Sequence, residues 1–446
     1  MGKLSKIVAI GHAAVGANSA LMLKKLQPDL DVTIIREEKR LITRCATPYI
    51  CSGNTLADPC YKDDEKYESK GIHFVDMKAE EIDTENKRVK VANGDYYSYD
   101  KLILGMGGEP AKPPIPGFDL EGVFTLRTAE DAANILHWLN TQSVKKGLIL
   151  GGGAIGVETA YLMAMQGVQI ILVEMLDHIL QNALDSDMSG KIEKHFAEKE
   201  IGLKLGERVN AIRGNGHVTG AVLGSGEEID ADFILVSAGV RPRTELAKKA
   251  GLEMGKLGLK VNSYLQTSDP DIYSAGDLIE YPSQITGKPI MGQLRPNAAI
   301  GGRIIARNIL GAKVKYPPLL NSFATEFFNK SIAGTGFTEQ TAKAAGMDVV
   351  SASASTLTRH PMIKDKKPYT VKLVFNREDN KVIGGQVVSD SKEPIKTIDA
   401  IAVAIRSGWT ALDLTTLRCA SQPELSADAG EEPIVTAAEK AVTLLS

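Results

Sequence analysis

Residues 146–174 decide the fold; they read KGLILGGGAIGVETAYLMAMQGVQIILVE. The short apolar segment 148–150 predicts a buried strand, and 155–166 predicts a helix that packs through Ile155 and its neighbours. A second apolar segment, 168–173, predicts another buried strand. The order strand, helix, strand is typical of a parallel sheet covered by helices, so we expect an α/β fold.

Three glycines, Gly151, Gly153 and Gly156, separate the first strand from the helix in the spacing G-x-G-x-x-G. The first permits a tight turn, the second lets a pyrophosphate approach the backbone, and the third lets the helix pack closely. The N–H groups at the helix start can hold the phosphates. Glu174 can bind the ribose hydroxyls, and no arginine in 175–178 is available for a 2′-phosphate. We therefore predict NAD(H) rather than NADP(H).

Composition excludes several classes of protein. The chain has 446 residues, is 43% hydrophobic and carries a net charge of −3, which is compatible with about three domains. Without a basic tail or a long charge block, nucleic acid and anionic membranes are poor partners. No stretch of 18 apolar residues predicts a membrane span. The first strand begins too early for a signal peptide, and four cysteines make no disulfide scaffold, so we expect a cytoplasmic protein.

The chain contains another phosphate turn, the first in chain order, Gly11-His-Ala-Ala-Val-Gly16, which follows the first predicted strand. Ala13 occupies the central glycine position, where its small side chain still permits a phosphate to approach. The acid expected at the end of the next strand, 32–35, is missing, because Arg36 stands there and Glu37 follows. Either Glu37 binds a ribose after a shift of one residue, or the backbone does.

Prolines and glycines mark the domain limits. Residues 110–117 contain four prolines and a glycine, which predicts a linker. The segment 266–277 ends in Ser-Ala-Gly-Asp and returns the chain to the first domain. Residues 322–446 contain no nucleotide motif and combine a predicted hairpin with a helix over 395–406. The predicted segments are 1–112 and 241–320, which form one nucleotide-binding domain, 113–240, which forms another, and 321–446, which forms an α+β domain.

Cys45 lies in the segment Arg44-Cys-Ala-Thr-Pro-Tyr-Ile-Cys-Ser-Gly53. Pro48 fits the first turn of a helix. Cys45 would then precede the helix start, where the positive electrostatic field of a helix N-terminus lowers the pKa of a thiol. Cys51, six residues further on, is too distant along a helix for an unstrained disulfide, and we assign it to the core. The spacing of Cys45, Cys51 and Cys60 fits neither zinc nor the usual iron–sulfur patterns, so we expect no metal.

The combination of two phosphate turns, a cysteine after the first turn and a Ser-Ala-Gly-Asp segment is specific. The chain resembles the FAD-dependent pyridine nucleotide–disulfide oxidoreductases over nearly its whole length. The single Cys45 followed by Pro48 and Tyr49 is similar to the branch of coenzyme A-disulfide reductases, NADH oxidases and NADH peroxidases. This resemblance implies a split FAD-binding domain, an inserted NAD-binding domain and a C-terminal domain that forms the interface of a homodimer.

The resemblance also implies roles for individual residues. Cys45 corresponds to the redox-active thiol beside the flavin. Asp277 bonds the ribityl–phosphate end of FAD, Ala298 lies near the flavin ring, and Glu158 lies near the contact of nicotinamide and flavin. The other candidate cofactor-binding residues are Gly11, His12, Ala13, Ala14, Gly16, Arg36, Glu37 and Gly107 for FAD, and Gly151, Gly153, Ile155, Gly156, Glu174 and Gly239 for NAD(H).

The sequence departs from each subfamily at its second catalytic group. Ala14 stands where the oxidases and peroxidases carry a histidine, and we interpret His12, two residues away, as structural. The segments 358–365 and 420–426 lack the tyrosines of the coenzyme A-disulfide reductases. Gln422 stands where the lipoamide branch keeps its catalytic histidine, and glutamine cannot act as a base.

The main hypothesis is that electrons pass from NADH through flavin and Cys45 to a small disulfide or persulfide, as in a coenzyme A-disulfide reductase. One alternative is an NAD-linked FAD subunit that exchanges electrons with the iron–sulfur subunits of a larger complex. Another is a water-forming NADH oxidase. The sequence does not name the electron acceptor.

Overall fold

The computed structural model describes residues 4–39, 41–53 and 61–446, so Cys60 lies outside the described part of the chain. The chain divides into two compact units, which are described separately. The first unit comprises Met1–Pro113, Thr125–Leu139 and Ala238–Leu319; the second comprises Pro114–Phe124, Asn140–Ser237 and Leu320–Ser446.

The first unit is built on a parallel five-stranded sheet whose strands are nearly continuous apolar runs. Such runs suit strands that are buried on both faces. In spatial order the strands are Ile272–Ser274, Lys101–Leu104, Lys6–Ile10, Asp31–Ile35 and Ile72–Val75. The helices Ala14–Leu26 and Arg295–Ile309 pack against each other. A Cβ atom at Gly302 would lie 2.5 Å from the carbonyl oxygen of Val15, so only glycine permits this approach.

Smaller elements complete the first unit. An antiparallel sheet contains a hairpin with Gly94 at its turn at φ +92°. The strands of that sheet are Ala79–Asp83, Arg88–Val91 and Tyr96–Ser98. Three further strand pairs are Leu41–Ile42 with Tyr61–Lys62, Gly108–Pro110 with Val240–Pro242, and Glu280–Pro282 with Pro289–Met291. The short helices are Thr47–Cys51, Glu65–Glu68 and Glu245–Lys249, with 3-10 turns at Arg44–Ala46 and Gly276–Leu278. The helix Ala129–Thr141 spans the sequence limit between the units.

The second unit begins with another parallel five-stranded sheet, which contains the stretch that decides the fold. Its strands, in spatial order, are Val123–Phe124, Phe233–Val236, Lys146–Leu150, Gln169–Glu174 and Gly202–Leu205. Its helices are Ala154–Met165 and Ser186–Glu198, and the antiparallel strands Val209–Asn215, His217–Leu223 and Glu228–Asp230 form a small additional sheet. The predicted strand, helix and strand of residues 146–174 are therefore confirmed.

The C-terminal part of the second unit is an antiparallel sheet with helices, as the predicted α+β class requires. In spatial order its strands are Phe323–Phe327, Lys330–Gly336, Val382–Ser389, Pro368–Asn376 and Val349–Leu357. The helices are Glu339–Ala344, Thr397–Ser407, Ala411–Thr415 and Pro433–Leu445, with 3-10 turns at Glu393–Lys396 and Ala429–Glu431. Among the helices that the structure describes, none combines the length and apolar character needed to cross a membrane.

A buried polar cluster joins the C-terminal sheet to the part of the second unit that contains the parallel sheet. The N–H of Asp185 donates to Gln386 Oε1 at 2.7 Å, and Gln386 Nε2 donates back to Asp185 Oδ2 at 2.6 Å. The backbone N–H groups of Glu339 and Gln340 donate to the same carboxylate, each at 3.1 Å. Lys372 Nζ lies 3.2 Å from Asp185 Oδ2. Asp185, Lys372 and Gln386 are all buried, so the cluster fixes the two parts of the unit together.

Replacing Lys372 with Met should destabilise the protein, because it leaves the buried carboxylate of Asp185 without its cation. Loss of one partner of a buried ion pair costs about 3–5 kcal/mol. We expect a lower midpoint of urea unfolding, measured by circular dichroism. Lys364→Met, at an exposed lysine of the same sheet region, is the control and should leave the midpoint unchanged. Equal midpoints in the two variants would contradict a stabilising cluster.

Candidate active site

The first phosphate turn connects the strand Lys6–Ile10 to the helix Ala14–Leu26. Gly11 has φ +100°, which side chains other than glycine rarely adopt. A Cβ atom at Gly16 would lie 1.9 Å from the carbonyl oxygen of Gly11, so the helix start lies directly on the turn. Ala13 is the N-cap residue, and its methyl side chain cannot accept a hydrogen bond from the N–H groups of the helix start. The first N–H groups of the helix are therefore available to an anion.

The second phosphate turn has the same construction. Gly151 has φ +106°, and a Cβ atom at Gly156 would lie 1.9 Å from the Gly151 carbonyl oxygen. At Gly153, the N-cap residue, a Cβ atom would meet no atom within 4 Å. This open space beside the helix start is what a pyrophosphate requires.

Two cavities that share several residues follow the first phosphate turn. One, of about 450 Å³, is lined by Gly11, His12, Ala13, Arg36 and Glu37 together with other residues. The other, of about 370 Å³, also includes Ala13 and extends past Gly107. Most of the residues predicted to bind FAD thus line two cavities with shared residues next to the first phosphate turn. The residues fit an extended dinucleotide such as FAD.

Arg36 is buried at the end of its strand and is held by two carboxylates. Its Nη1 and Nη2 atoms donate to Asp64 at 2.7 and 2.6 Å, and its Nε donates to Asp76 at 2.6 Å. The guanidinium lies 3.9 Å from the ring centre of Phe74. These hydrogen bonds raise the pKa of Arg36 despite its burial, and they use most of its donors. Glu37, which is exposed, remains the acid with room to contact a ribose.

His12 lies beside Arg36 as a neutral imidazole. Its Nδ1 lies 3.2 Å from Arg36 Nη1. A guanidinium only donates, so Nδ1 accepts and Nε2 carries the proton. Burial and the charge of Arg36 lower the pKa of His12 to about 4. The ring packs against Tyr67 and Phe74 at centroid distances of 4.6 and 4.7 Å. This environment agrees with the interpretation of His12 as structural.

Asp277 lies in the 3-10 turn Gly276–Leu278 and accepts a hydrogen bond from Arg127 Nη2 at 2.7 Å. Ala298 packs on this turn, since a Cβ atom at Gly276 would lie 3.1 Å from the Cβ of Ala298.

The sequence reasoning missed Arg127. It directly precedes Thr128, whose N–H and hydroxyl exchange hydrogen bonds with Asp131 at a helix start. This capping pattern is visible in the sequence and indicates that Arg127 is held rigidly.

Cys45 lies in the 3-10 turn Arg44–Ala46, directly before the helix Thr47–Cys51, as predicted. Its side chain is exposed. The helix has five residues, so its dipole at Cys45 is smaller than that of a full-length helix. Arg44, its neighbour, lines both cavities, forms an ion pair with Glu38 and donates to the carbonyl oxygen of Arg127 at 2.9 Å.

Cys51 differs from Cys45 in its exposure to solvent. It is fully buried, and its Sγ donates to the carbonyl oxygen of Pro48 at 3.2 Å. Burial raises the pKa of its thiol to about 12. The assignment of Cys51 to the core is confirmed, and its thiol is unreactive near neutral pH.

Known proteins with this sequence pattern identify the family. Residues 5–293 match the model of the pyridine nucleotide-disulphide oxidoreductases, and residues 323–432 match their dimerisation domain. The chain belongs to this family. It is a FAD-dependent NAD(P)H oxidoreductase with FAD and NAD(H) as cofactors, and the resemblance and fold class inferred from the sequence are confirmed.

Relatives within the family carry related names. The chain is 34% identical over 452 residues to an NADH oxidase of Methanocaldococcus jannaschii, which covers 99% of both chains. It is 30% identical over 414 residues to an NAD(P)H coenzyme A polysulfide/persulfide reductase of Pyrococcus horikoshii, with 92% of each chain covered. The structure of an NAD-dependent persulfide reductase from A. fulgidus matches with a TM-score of 0.94 at 30% identity, over 98% of this chain and 83% of that chain.

In this oxidoreductase, Glu174 lies at the end of the strand Gln169–Glu174, which follows the second phosphate turn and its helix. The carboxylate accepts hydrogen bonds from the N–H groups of Gly152 and Leu176, so it is anchored beside the phosphate turn. Ile155 and Glu158 lie on the helix Ala154–Met165 that follows this turn. Gly239 falls in the first unit, with φ +102° and open space where a Cβ atom would be.

Replacing Glu174 with Ala should weaken the discrimination of this oxidoreductase in favour of NADH over NADPH. A charge-assisted hydrogen bond from the ribose is lost and repulsion of the 2′-phosphate is removed, an effect of about 1–3 kcal/mol. The measurement is the ratio of the dissociation constants of NADH and NADPH. Loosening of the turn affects both coenzymes and cancels in this ratio. A wild-type enzyme that prefers NADPH would contradict the assignment.

Proposed function

We propose that this enzyme passes electrons from NADH through FAD and Cys45 to a small disulfide or persulfide. The observation that carries the proposal is the exposure of Cys45 beside Arg44, whose side chain lines both cavities that fit FAD. Bound FAD would accept a hydride from NADH and supply two electrons. The Pyrococcus horikoshii and A. fulgidus relatives, whose names refer to polysulfide or persulfide reduction, support a sulfur acceptor.

The chemistry at the thiol follows from its exposure. The thiolate of Cys45 would attack the outer sulfur of the acceptor, form a mixed disulfide or persulfide and release the acceptor's thiol. Two electrons and a proton would then cleave the new sulfur–sulfur bond, restoring the Cys45 thiolate and releasing the other sulfur as a protonated thiol or as hydrogen sulfide. Cys51 cannot replace it, because it is buried and its pKa is raised.

A water-forming NADH oxidase is the second candidate, because the relative from Methanocaldococcus jannaschii is named an NADH oxidase. Ala14 occupies the position of the oxidases' histidine, which argues against this candidate. The third hypothesis, a subunit that serves iron–sulfur partners, gains no support from the relatives described above.

The proposal includes the domain limits predicted from the sequence. We assign 1–112 and 241–320 to FAD, 113–240 to NAD and 321–446 to the dimer interface. The limits of the two compact units after Pro113, Ser237 and Leu319 support this division. The site residues predicted from the sequence are proposed in the same roles, with Arg127 added beside Asp277. We also propose a cytoplasmic location, where a reducing environment keeps exposed thiols reduced.

Replacing Cys45 with Ser should lower the turnover of disulfide or persulfide acceptors by orders of magnitude, because the attacking thiolate is lost. Bleaching of the flavin by NADH under argon should persist, and so should reduction of artificial dyes. Cys419→Ser is the matched control, since Cys419 is also exposed but lies in the C-terminal domain. Unchanged turnover of coenzyme A disulfide and persulfides in Cys45→Ser would refute the thiol route. Oxygen consumption with no sulfur turnover in the wild-type enzyme would favour the oxidase.

A homodimer is proposed because the C-terminal block matches the family's dimerisation domain. A chain that ends at Leu320 should be monomeric or should aggregate, since it loses this domain and the partners of Asp185. Sedimentation equilibrium measures the mass, with the full-length chain as the reference at twice the mass of one chain. A truncated dimer that still reduces dyes with NADH would rule out this assignment.

A further inference from the structure

Glu158 is a partly buried carboxylate that lacks a cation. It lies on the helix Ala154–Met165, two residues beyond Gly156 of the phosphate turn. Burial raises the pKa of its carboxyl group, and a hydrogen bond from Thr325 acts in the opposite direction. Among the residues that the structure describes, no lysine or arginine forms an ion pair with Glu158. An unpaired buried charge is costly, so the ionised form of Glu158 would need a positive partner from a ligand.

The hydrogen bond to Glu158 comes from the dimerisation domain. Thr325 Oγ1 donates to Glu158 Oε1 at 2.5 Å. Thr325 lies in the strand Phe323–Phe327, opposite Ile332 of the neighbouring strand. Both strands belong to the same compact unit as the helix of Glu158.

Aromatic packing holds this strand against the helix. The ring of Phe327 is fully buried, and its centroid lies 6.5 Å from that of Tyr161, one turn after Glu158. Of the other ionisable groups on these two elements, Tyr161 has a pKa raised by burial, and Glu326 is paired with Lys392 at 2.9 Å. Thr325 is therefore held at a defined distance from the carboxylate.

We propose that Thr325 is a positioning residue for the oxidised coenzyme, and that it acts by holding Glu158 as an ionised carboxylate at the nicotinamide end of the NAD site. The proposal rests on the proposed placement of Glu158 in that site. The nicotinamide ring of NAD⁺ carries the positive charge that Glu158 lacks, whereas the ring of NADH is neutral. The dimerisation domain would in this way strengthen the binding of NAD⁺ relative to that of NADH.

The test compares Thr325→Val, which keeps the shape but removes the donor, with Thr325→Ser, which keeps the hydroxyl. Isothermal titration calorimetry measures NAD⁺ and NADH binding to the oxidised, FAD-loaded protein between pH 5.5 and 8.5. Above its pKa, Glu158 is ionised and binds the cationic ring, so NAD⁺ affinity should fall as the pH is lowered through that pKa. Loss of the hydrogen bond raises the pKa further, so this decline should move to higher pH in Thr325→Val.

At neutral pH, NAD⁺ binding to Thr325→Val should weaken about tenfold, the effect of one hydrogen bond to a charged group. NADH binding should change little, and Thr325→Ser should resemble the wild type. Equal, pH-independent losses for both coenzymes would overturn the proposal, because general damage to the strand acts in that way.

Thr335→Val is the matched control. Thr335 is a buried threonine of the neighbouring strand, and its hydroxyl lies 2.7 Å from Ser322 Oγ rather than at Glu158. A shift in the pH profile of this variant equal to that of Thr325→Val would overturn the proposal. Glu158→Gln should remove the pH dependence of NAD⁺ affinity. The double variant Glu158→Gln with Thr325→Val should then bind NAD⁺ as Glu158→Gln does. Intact NAD⁺ binding in Glu158→Gln would overturn the placement of Glu158. These measurements need no electron acceptor, so they are independent of the sulfur chemistry assigned to Cys45.

Discussion

The close approach of each phosphate-turn helix to its own turn is the constraint on which both nucleotide sites depend. A Cβ atom at Gly16 or Gly156 would lie 1.9 Å from the carbonyl oxygen of the glycine that opens the turn. No side-chain rearrangement can relieve such a contact, because the atom involved belongs to the backbone. The glycines therefore bring the free N–H groups of each helix to the end of a parallel sheet, where a pyrophosphate can bind.

Much of this fold could be predicted from the sequence, because it depends on local patterns. Glycine spacing and apolar runs both report on neighbouring residues. The position of Cys45 before a short helix that contains Pro48 was predictable for the same reason. The length of that helix could not be predicted from the sequence, and neither could the modest helix dipole that follows from it.

The functional details that sequence reasoning missed depend on residues distant in the chain. Arg36 replaces the expected acid, and its partners Asp64 and Asp76 lie 28 and 40 residues away. Arg127 and Asp277 are separated by 150 residues. No spacing rule relates such positions, because their contact is set by how strands are ordered in the sheet. Similarly, the sequence identified Glu174 by its offset from a glycine but contained no sign of its hydrogen bonds to the turn.

The cluster around Asp185 has a consequence for how the molecule loses its structure. The Lys372 ammonium and the Gln386 amide both contact Asp185. These contacts exist only while both parts of the second unit are folded. Opening one part alone would leave buried polar groups of the other without partners, which is costly. The sheet with the phosphate turn and the C-terminal sheet should therefore open as one cooperative segment, and their slowest amide protons should exchange with solvent at a common rate.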